Sequence, residues 1–103
     1  MLSVHYREDR QVRENLIKNE IGYGRVVDSF IVDRGHPNGA ERHEITTTGI
    51  INIYNARTNK LVTKLIANPN QVRRYYEAEG RTAPEDILRL AYEHKRKGYN
   101  EVK

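Results

Sequence analysis

The chain has 103 residues and carries 18 Lys and Arg against 14 Asp and Glu, which gives a net charge of +4. Hydrophobic residues make up 37% of the sequence, and the mean hydropathy is −0.85. These values predict one thin-cored domain over residues 1–103. The sequence has no cysteine, which excludes disulfides, thiolate metal sites and thiol nucleophiles. It also has no membrane-length apolar run and no signal-like N-terminus, so we expect a soluble, cytoplasmic protein without a membrane partner.

The positive charge is concentrated in the middle of the chain. Residues 45–76 carry five Lys and Arg and no acidic residue. The rest of the chain therefore sums to −1, since the whole carries +4. A local basic surface attracts polyanions by neutralising phosphates and releasing counterions, although mild basicity is also common in small proteins that bind no nucleic acid.

The first half of the chain predicts one helix followed by strands. Val12, Leu16 and Ile17 have helical spacing, which predicts a helix from residue 8 to about 20. Alternation and β-branched residues predict an antiparallel meander. If Asn52 faces Lys64 in its last hairpin, these two polar side chains share the wet face of the sheet. The four predicted strands span 25–34, 41–47, 50–55 and 61–67.

Two helices are predicted after the strands. Asn68 is a predicted N-cap with Pro69 behind it, and the helix over 69–79 buries Val72, Tyr75 and Tyr76 on one face. A third helix is predicted with Thr82 or Ala83 near its cap and its end near Gly98. There His94 is expected to be solvated beside the negative end of the helix dipole. The order of elements predicts an α+β domain with an N-terminal helix, a four-stranded antiparallel β-meander and two C-terminal helices.

The segment DRGHPNGAERHE gathers acids, bases and cations in one loop and the strand after it. His36 and His43 flank the turn, so a histidine or glutamate here is a candidate to take the proton from a ribose 2′-hydroxyl while a second group protonates the leaving oxygen. An exposed turn with ordinary polar flanks is the competing interpretation. The spacing of the histidines and acids matches no metal motif, and there is no phosphate loop or serine elbow, so we expect no metal and no cofactor.

The acid-free segment supplies the candidate nucleic-acid contacts. Guanidinium groups interleaved with tyrosines, as in Arg73-Arg74-Tyr75-Tyr76, are able to hold phosphates and stack bases, although a tyrosine stripe on a helix favours core packing. The predicted nucleic-acid-binding residues are Tyr54, Arg57, Lys60, Lys64, Arg73 and Arg74.

The stretch from VDRGHPNGAERHEITTTG to QVRRYY resembles small proteins of phages and mobile elements in Gram-positive bacteria. More loosely, NIYNARTNKLVTKLIA resembles the closing hairpin of the compact ribonucleases grouped around barnase, EndoU, colicin D and RelE, many of which are toxins that cut RNA without metal. This resemblance implies catalytic roles for His43 and Thr63 and phosphate contacts for Arg57, Lys64 and Arg74. The two helices after the sheet depart from that pattern.

Two functional hypotheses follow. The first is an RNA-interacting domain. In its most specific version, the domain is a metal-independent endoribonuclease that uses His36, His43 and Thr63. The second is a non-catalytic module of a phage or mobile element that binds RNA, another nucleic acid or a protein. A protein partner such as an antitoxin, or a homodimer through an exposed strand edge, is compatible with either hypothesis.

Overall fold

The computed structural model describes residues 3–35 and 37–101, with side chains described over 10–35 and 37–100. The α+β prediction is confirmed: an N-terminal helix precedes a four-stranded antiparallel sheet in the order β1-β2-β3-β4, and two helices follow. Helix α1 begins earlier than predicted and runs into a π-helical turn at Ile17–Ile21. The elements are α1 (Ser3–Leu16), β1 (Val26–Val32), β2 (Glu41–Thr46), β3 (Ile50–Asn55), β4 (Leu61–Ile66), α2 (Pro69–Glu77), α3 (Glu85–Arg96) and a short 3-10 turn (Tyr99–Glu101).

None of the helices in the described part of the chain is long and apolar enough to cross a membrane.

The strand register decides which side chains share a face of the sheet. Asn52 pairs with Lys64 and accepts a hydrogen bond of 2.8 Å from its ammonium group. Because successive side chains alternate between faces, the next row across the sheet points to the opposite side. That row consists of Phe30, His43, Ile53 and Thr63.

Each face of the sheet buries its own apolar cluster. The larger cluster joins Phe30, Ile51 and Ile53 to the apolar sides of α2 and α3. On the opposite face, Ile17 at the end of α1 packs with two sheet residues, Ile50 and Ile66. The sheet is therefore the central layer, and most of its core lies beneath α2 and α3.

The two C-terminal helices begin differently. The carboxamide of Asn68 accepts a hydrogen bond of 2.8 Å from the Gln71 amide, which confirms the predicted N-cap of α2. Thr82 and Ala83 lie near the cap of α3, but the N-cap itself is Pro84, which has no capping side chain. Pro84 holds an extended backbone (φ −60°, ψ 137°), so the helix starts too late for Thr82 to reach its first amides.

His94 is buried rather than solvated, which corrects the expectation from sequence. Its side chain is 5% exposed, and Nε2 donates a hydrogen bond of 2.9 Å to the carbonyl of Thr48. The contact ties the last turn of α3 to the turn between β2 and β3. Gly49 in that turn has φ +79°, and a Cβ there would lie 2.9 Å from His94 Nε2.

We predict that Gly49→Ala lowers the free energy of unfolding by about 2–4 kcal/mol, because left-handed strain and a clash with His94 add together. Gly80→Ala is the matched control, since Gly80 has φ +69° and a Cβ there would meet no neighbouring atom within 4 Å. It should cost only about 1 kcal/mol. Urea unfolding measures both values. Equal losses in the two variants would show that the clash of the new Cβ with His94 contributes nothing.

Candidate functional site

His43 lies on β2, on the face of the sheet that α2 covers. It is 3% exposed, so its position depends on the helix packed above it. Tyr75 of α2 lies over the imidazole with its ring edge-on, the two centroids 5.4 Å apart. The same tyrosine stacks on Phe30 of β1 at 5.2 Å between centroids. The apolar side of α2 thus places a phenol directly beside the histidine.

Three polar side chains form one hydrogen-bonded chain at this point. His43 Nε2 lies 3.0 Å from a carboxylate oxygen of Glu41, and His43 Nδ1 is hydrogen-bonded to the Tyr75 hydroxyl. An ionised carboxylate only accepts hydrogen bonds, so the Nε2 proton points to Glu41. Nδ1 is then an acceptor, and the phenol donates to it. The order carboxylate, imidazole, hydroxyl is the one that activates hydroxyl groups in hydrolases.

Burial governs the proton of Tyr75. Desolvation raises the pKa of its phenol from the ordinary 10 to about 12, a shift that Arg34 and Arg74 partly oppose through their positive charges. The phenol therefore keeps its proton near neutral pH. It is a proton donor held between a histidine and two guanidinium groups.

A cavity of about 370 Å³ opens where β1 meets α2, and Tyr75 is in its wall. Its two carboxylates have other partners, since Asp33 accepts from the Gly35 amide and Glu79 pairs with Arg81. Within residues 10–35 and 37–100, neither of the two arginines at the cavity forms an ion pair, so both are available to an anion. The lining consists of Phe30, Ile31, Val32, Asp33, Arg34, Gln71, Arg74, Tyr75, Ala78 and Glu79.

Of the other two predicted catalytic residues, the structure places only Thr63, which does not join this cluster. His36 lies outside the described residues. Thr63 shares the cross-strand row of His43 but stands two strands away, which is about 10 Å. Its hydroxyl accepts a hydrogen bond of 3.1 Å from Arg13 of α1.

The predicted nucleic-acid contacts lie on separate parts of the surface. Arg73 and Arg74 are on α2, on the same side of the sheet as His43. Lys64 and Tyr54 belong to the opposite face, where Tyr54 lies under the guanidinium of Arg42 at 4.7 Å. The remaining two, Arg57 and Lys60, are exposed in and beside the turn between β3 and β4.

Sequence reasoning assigned Tyr75 to packing and gave no partner to Glu41. The sequence therefore did not predict the hydrogen-bonded chain of Glu41, His43 and Tyr75. Tyr75 is 32 positions from His43, and only the docking of α2 brings the two together. The one local signal is that Glu41 and His43 are separated by one residue on a strand, so both side chains point to the same face.

No family model, no curated protein and no solved structure matches the chain. Within the described residues, no group of three His, Cys, Asp or Glu side chains is placed to hold a metal ion.

The raised pKa of Tyr75 predicts a specific loss of stability in alkali. The folded state holds this proton more tightly than the unfolded state, so the free energy of unfolding should fall as pH rises from 10 towards about 12. The loss should reach on the order of 2 kcal/mol. Tyr75→Phe removes the titrating group, and its free energy of unfolding should fall less steeply over the same range.

Some slope should remain in the variant, because burial and its bond to Asp28 also raise the pKa of Tyr76. Urea unfolding at a series of pH values measures both slopes. Parallel curves for the wild type and Tyr75→Phe would contradict a buried phenol at this position.

Proposed function

We propose that the chain binds RNA and cleaves it without a metal ion by attack of a ribose 2′-hydroxyl on the adjacent phosphorus. The observation that carries the proposal is the chain from Glu41 through His43 to Tyr75, which ends in the wall of a cavity lined by two arginines. The site combines a proton-transfer group with cations that suit a phosphate.

The cations define the substrate class. A scissile phosphodiester gains negative charge as the 2′-oxygen attacks, and guanidinium groups stabilise that charge by forked hydrogen bonds. Arg34 and Arg74 line the cavity from two segments, the loop after β1 and helix α2. In a site without a bound metal, two such groups take over the charge stabilisation.

The proton balance gives Tyr75 a defined role. As the bond between the 2′-oxygen and phosphorus forms, the bond between phosphorus and the 5′-oxygen breaks, and the departing oxygen must gain a proton. The 2′-hydroxyl gives its proton to the Tyr75 oxygen while the phenol passes its own proton to His43 Nδ1, and Glu41 pairs with the imidazolium that forms. The departing 5′-oxygen takes its proton from a second group on the far side of phosphorus, a role for which the sequence offers His36.

In this proposal His43 acts through Tyr75 and is a positioning residue, because its imidazole is 3% exposed. The products are a 2′,3′-cyclic phosphate and a free 5′-hydroxyl.

A non-catalytic binding module is the second candidate. The observation that favours it is that both ring nitrogens of His43 are hydrogen-bonded beneath α2, an arrangement that also suits a structural histidine. A module of this kind would bind RNA through the same basic residues and leave it intact.

We predict that the purified protein cuts RNA in the presence of EDTA and leaves 2′,3′-cyclic phosphate ends. Tyr75→Phe removes the phenol that passes a proton to His43 and should lower kcat by about 10²-fold or more, because positioned proton transfer contributes factors of this size. His43→Gln should lower kcat as well and alter its pH profile, with little change in KM.

Tyr23→Phe is the matched control, because it removes a phenol from an exposed side chain near Lys64 on the opposite face. It should keep wild-type activity. RNA that stays bound but uncut by wild-type protein would replace the ribonuclease with the binding module. Failure to bind RNA even at low salt would overturn both candidates.

A further inference from the structure

A second and larger cleft lies between α2 and α3, outside the cavity beside Tyr75. Its volume is about 720 Å³, within the range of pockets that hold a small organic ligand. The lining residues come from the start and outer side of α2, from α3 and from the segment after α3. They are Asn68, Pro69, Asn70, Arg73, Arg74, Glu77, Tyr92, Lys95 and Asn100.

The cleft is positively charged. Arg73, Arg74 and Lys95 line it, and Glu77 is the one carboxylate among its described lining residues. Among the described side chains, none of the three cations forms an ion pair. An anion entering the cleft would therefore meet cations that no carboxylate already neutralises.

An aromatic ring stands beside these cations. Tyr92 is 46% exposed, and the guanidinium carbon of Arg73 lies 5.3 Å from the centroid of its ring. Arg73 also donates hydrogen bonds to the Tyr92 hydroxyl and, at 3.4 Å, to the carboxamide of Asn70. The guanidinium is thus held in place and still has donors to spare, since it carries five N–H groups.

Asn100 also lines the cleft, and its carboxamide has no hydrogen-bond partner among the described residues. The nitrogen and the oxygen of this carboxamide are both inaccessible to solvent. Buried amides in folded proteins are nearly always hydrogen-bonded, because an unpaired one costs free energy. The lining of the cleft therefore includes a donor and an acceptor that no described residue satisfies.

We propose that the α2–α3 cleft binds one nucleotide of single-stranded RNA. The phosphate contacts Arg73, Arg74 and Lys95, and the base packs against the exposed ring of Tyr92. Cations that hold a phosphate beside an aromatic ring are the usual combination for single-stranded nucleic acid. An acidic peptide would use the cations but would leave the ring without a stacking partner.

Arg74 connects this cleft to the candidate catalytic cavity. Among the described residues it is the one that lines both, so a single strand lying across α2 is able to reach both sites. The identification of the ligand as RNA rests on the proposed function. The cleft is then a subsite that holds the strand one or more nucleotides away from the scissile phosphate.

Binding of 2′-O-methyl RNA tests the inference, since this RNA has no 2′-hydroxyl and cannot be cut by the proposed reaction. Arg73→Gln and Lys95→Gln should each weaken its binding severalfold and lower the dependence of log Kd on log salt by about 0.7. Tyr92→Leu should weaken binding about tenfold with an unchanged salt dependence, because stacking on an aromatic ring contributes free energy of that order.

Arg89→Gln is the matched control. It removes the same charge from an exposed position of α3 that does not line the cleft, and it should leave the affinity within about twofold. Equal weakening by Arg89→Gln and Arg73→Gln, or unchanged affinity in Tyr92→Leu, would overturn the inference.

The outcomes also separate this site from the proposed catalysis. Cleft variants should raise KM for cleavable RNA and leave kcat unchanged, whereas Tyr75→Phe should lower kcat and still bind 2′-O-methyl RNA. If the wild-type protein cuts no RNA but the cleft variants lose binding as stated, the ribonuclease fails and the cleft stands.

Discussion

The docking of α2 onto the sheet is the contact on which the rest of the structure depends. Its two tyrosines lie on either side of Phe30, one stacked at 5.2 Å and the other edge-on at 4.9 Å between centroids. Aromatic pairs in these geometries contribute beyond their buried area. The same packing closes the core over Ile51 and Ile53, brings a phenol to His43 and leaves α3 beside the outer side of α2. Both proposed RNA sites therefore depend on this one helix.

In the proposed ribonuclease, proton transfer is divided between a buried imidazole and a phenol in the cavity wall. A histidine that is 3% exposed has no direct path to RNA, but its hydrogen bond passes through the core to Tyr75 at a cavity wall. Such an arrangement keeps the imidazole dry and fixes its tautomer through Glu41.

The fold was predictable from sequence to a larger extent than the site. The alternation of polar and apolar residues and the N-cap sequence Asn68-Pro69 are both local patterns. They were enough to locate all four strands and the start of α2. For α3 the sequence indicated only the neighbourhood of the cap, because the N-cap residue, Pro84, has no side chain that forms a capping bond. Two partners could not be predicted, Tyr75 for His43 and Thr48 for His94, because each is brought in by tertiary packing from another part of the chain. In the same way, the division of the basic residues between two faces depends on strand register, which the charge count does not reveal.

The central claim is that His43 accepts a hydrogen bond from Tyr75 at Nδ1 and donates one to Glu41 from Nε2. Long-range proton–nitrogen NMR of the imidazole at about pH 8, where histidine is ordinarily neutral, tests it directly. The account predicts a proton fixed on Nε2 and an unprotonated Nδ1 whose nitrogen shift moves in Tyr75→Phe. A proton on Nδ1, or a ring averaging between both tautomers and insensitive to Tyr75→Phe, would contradict it.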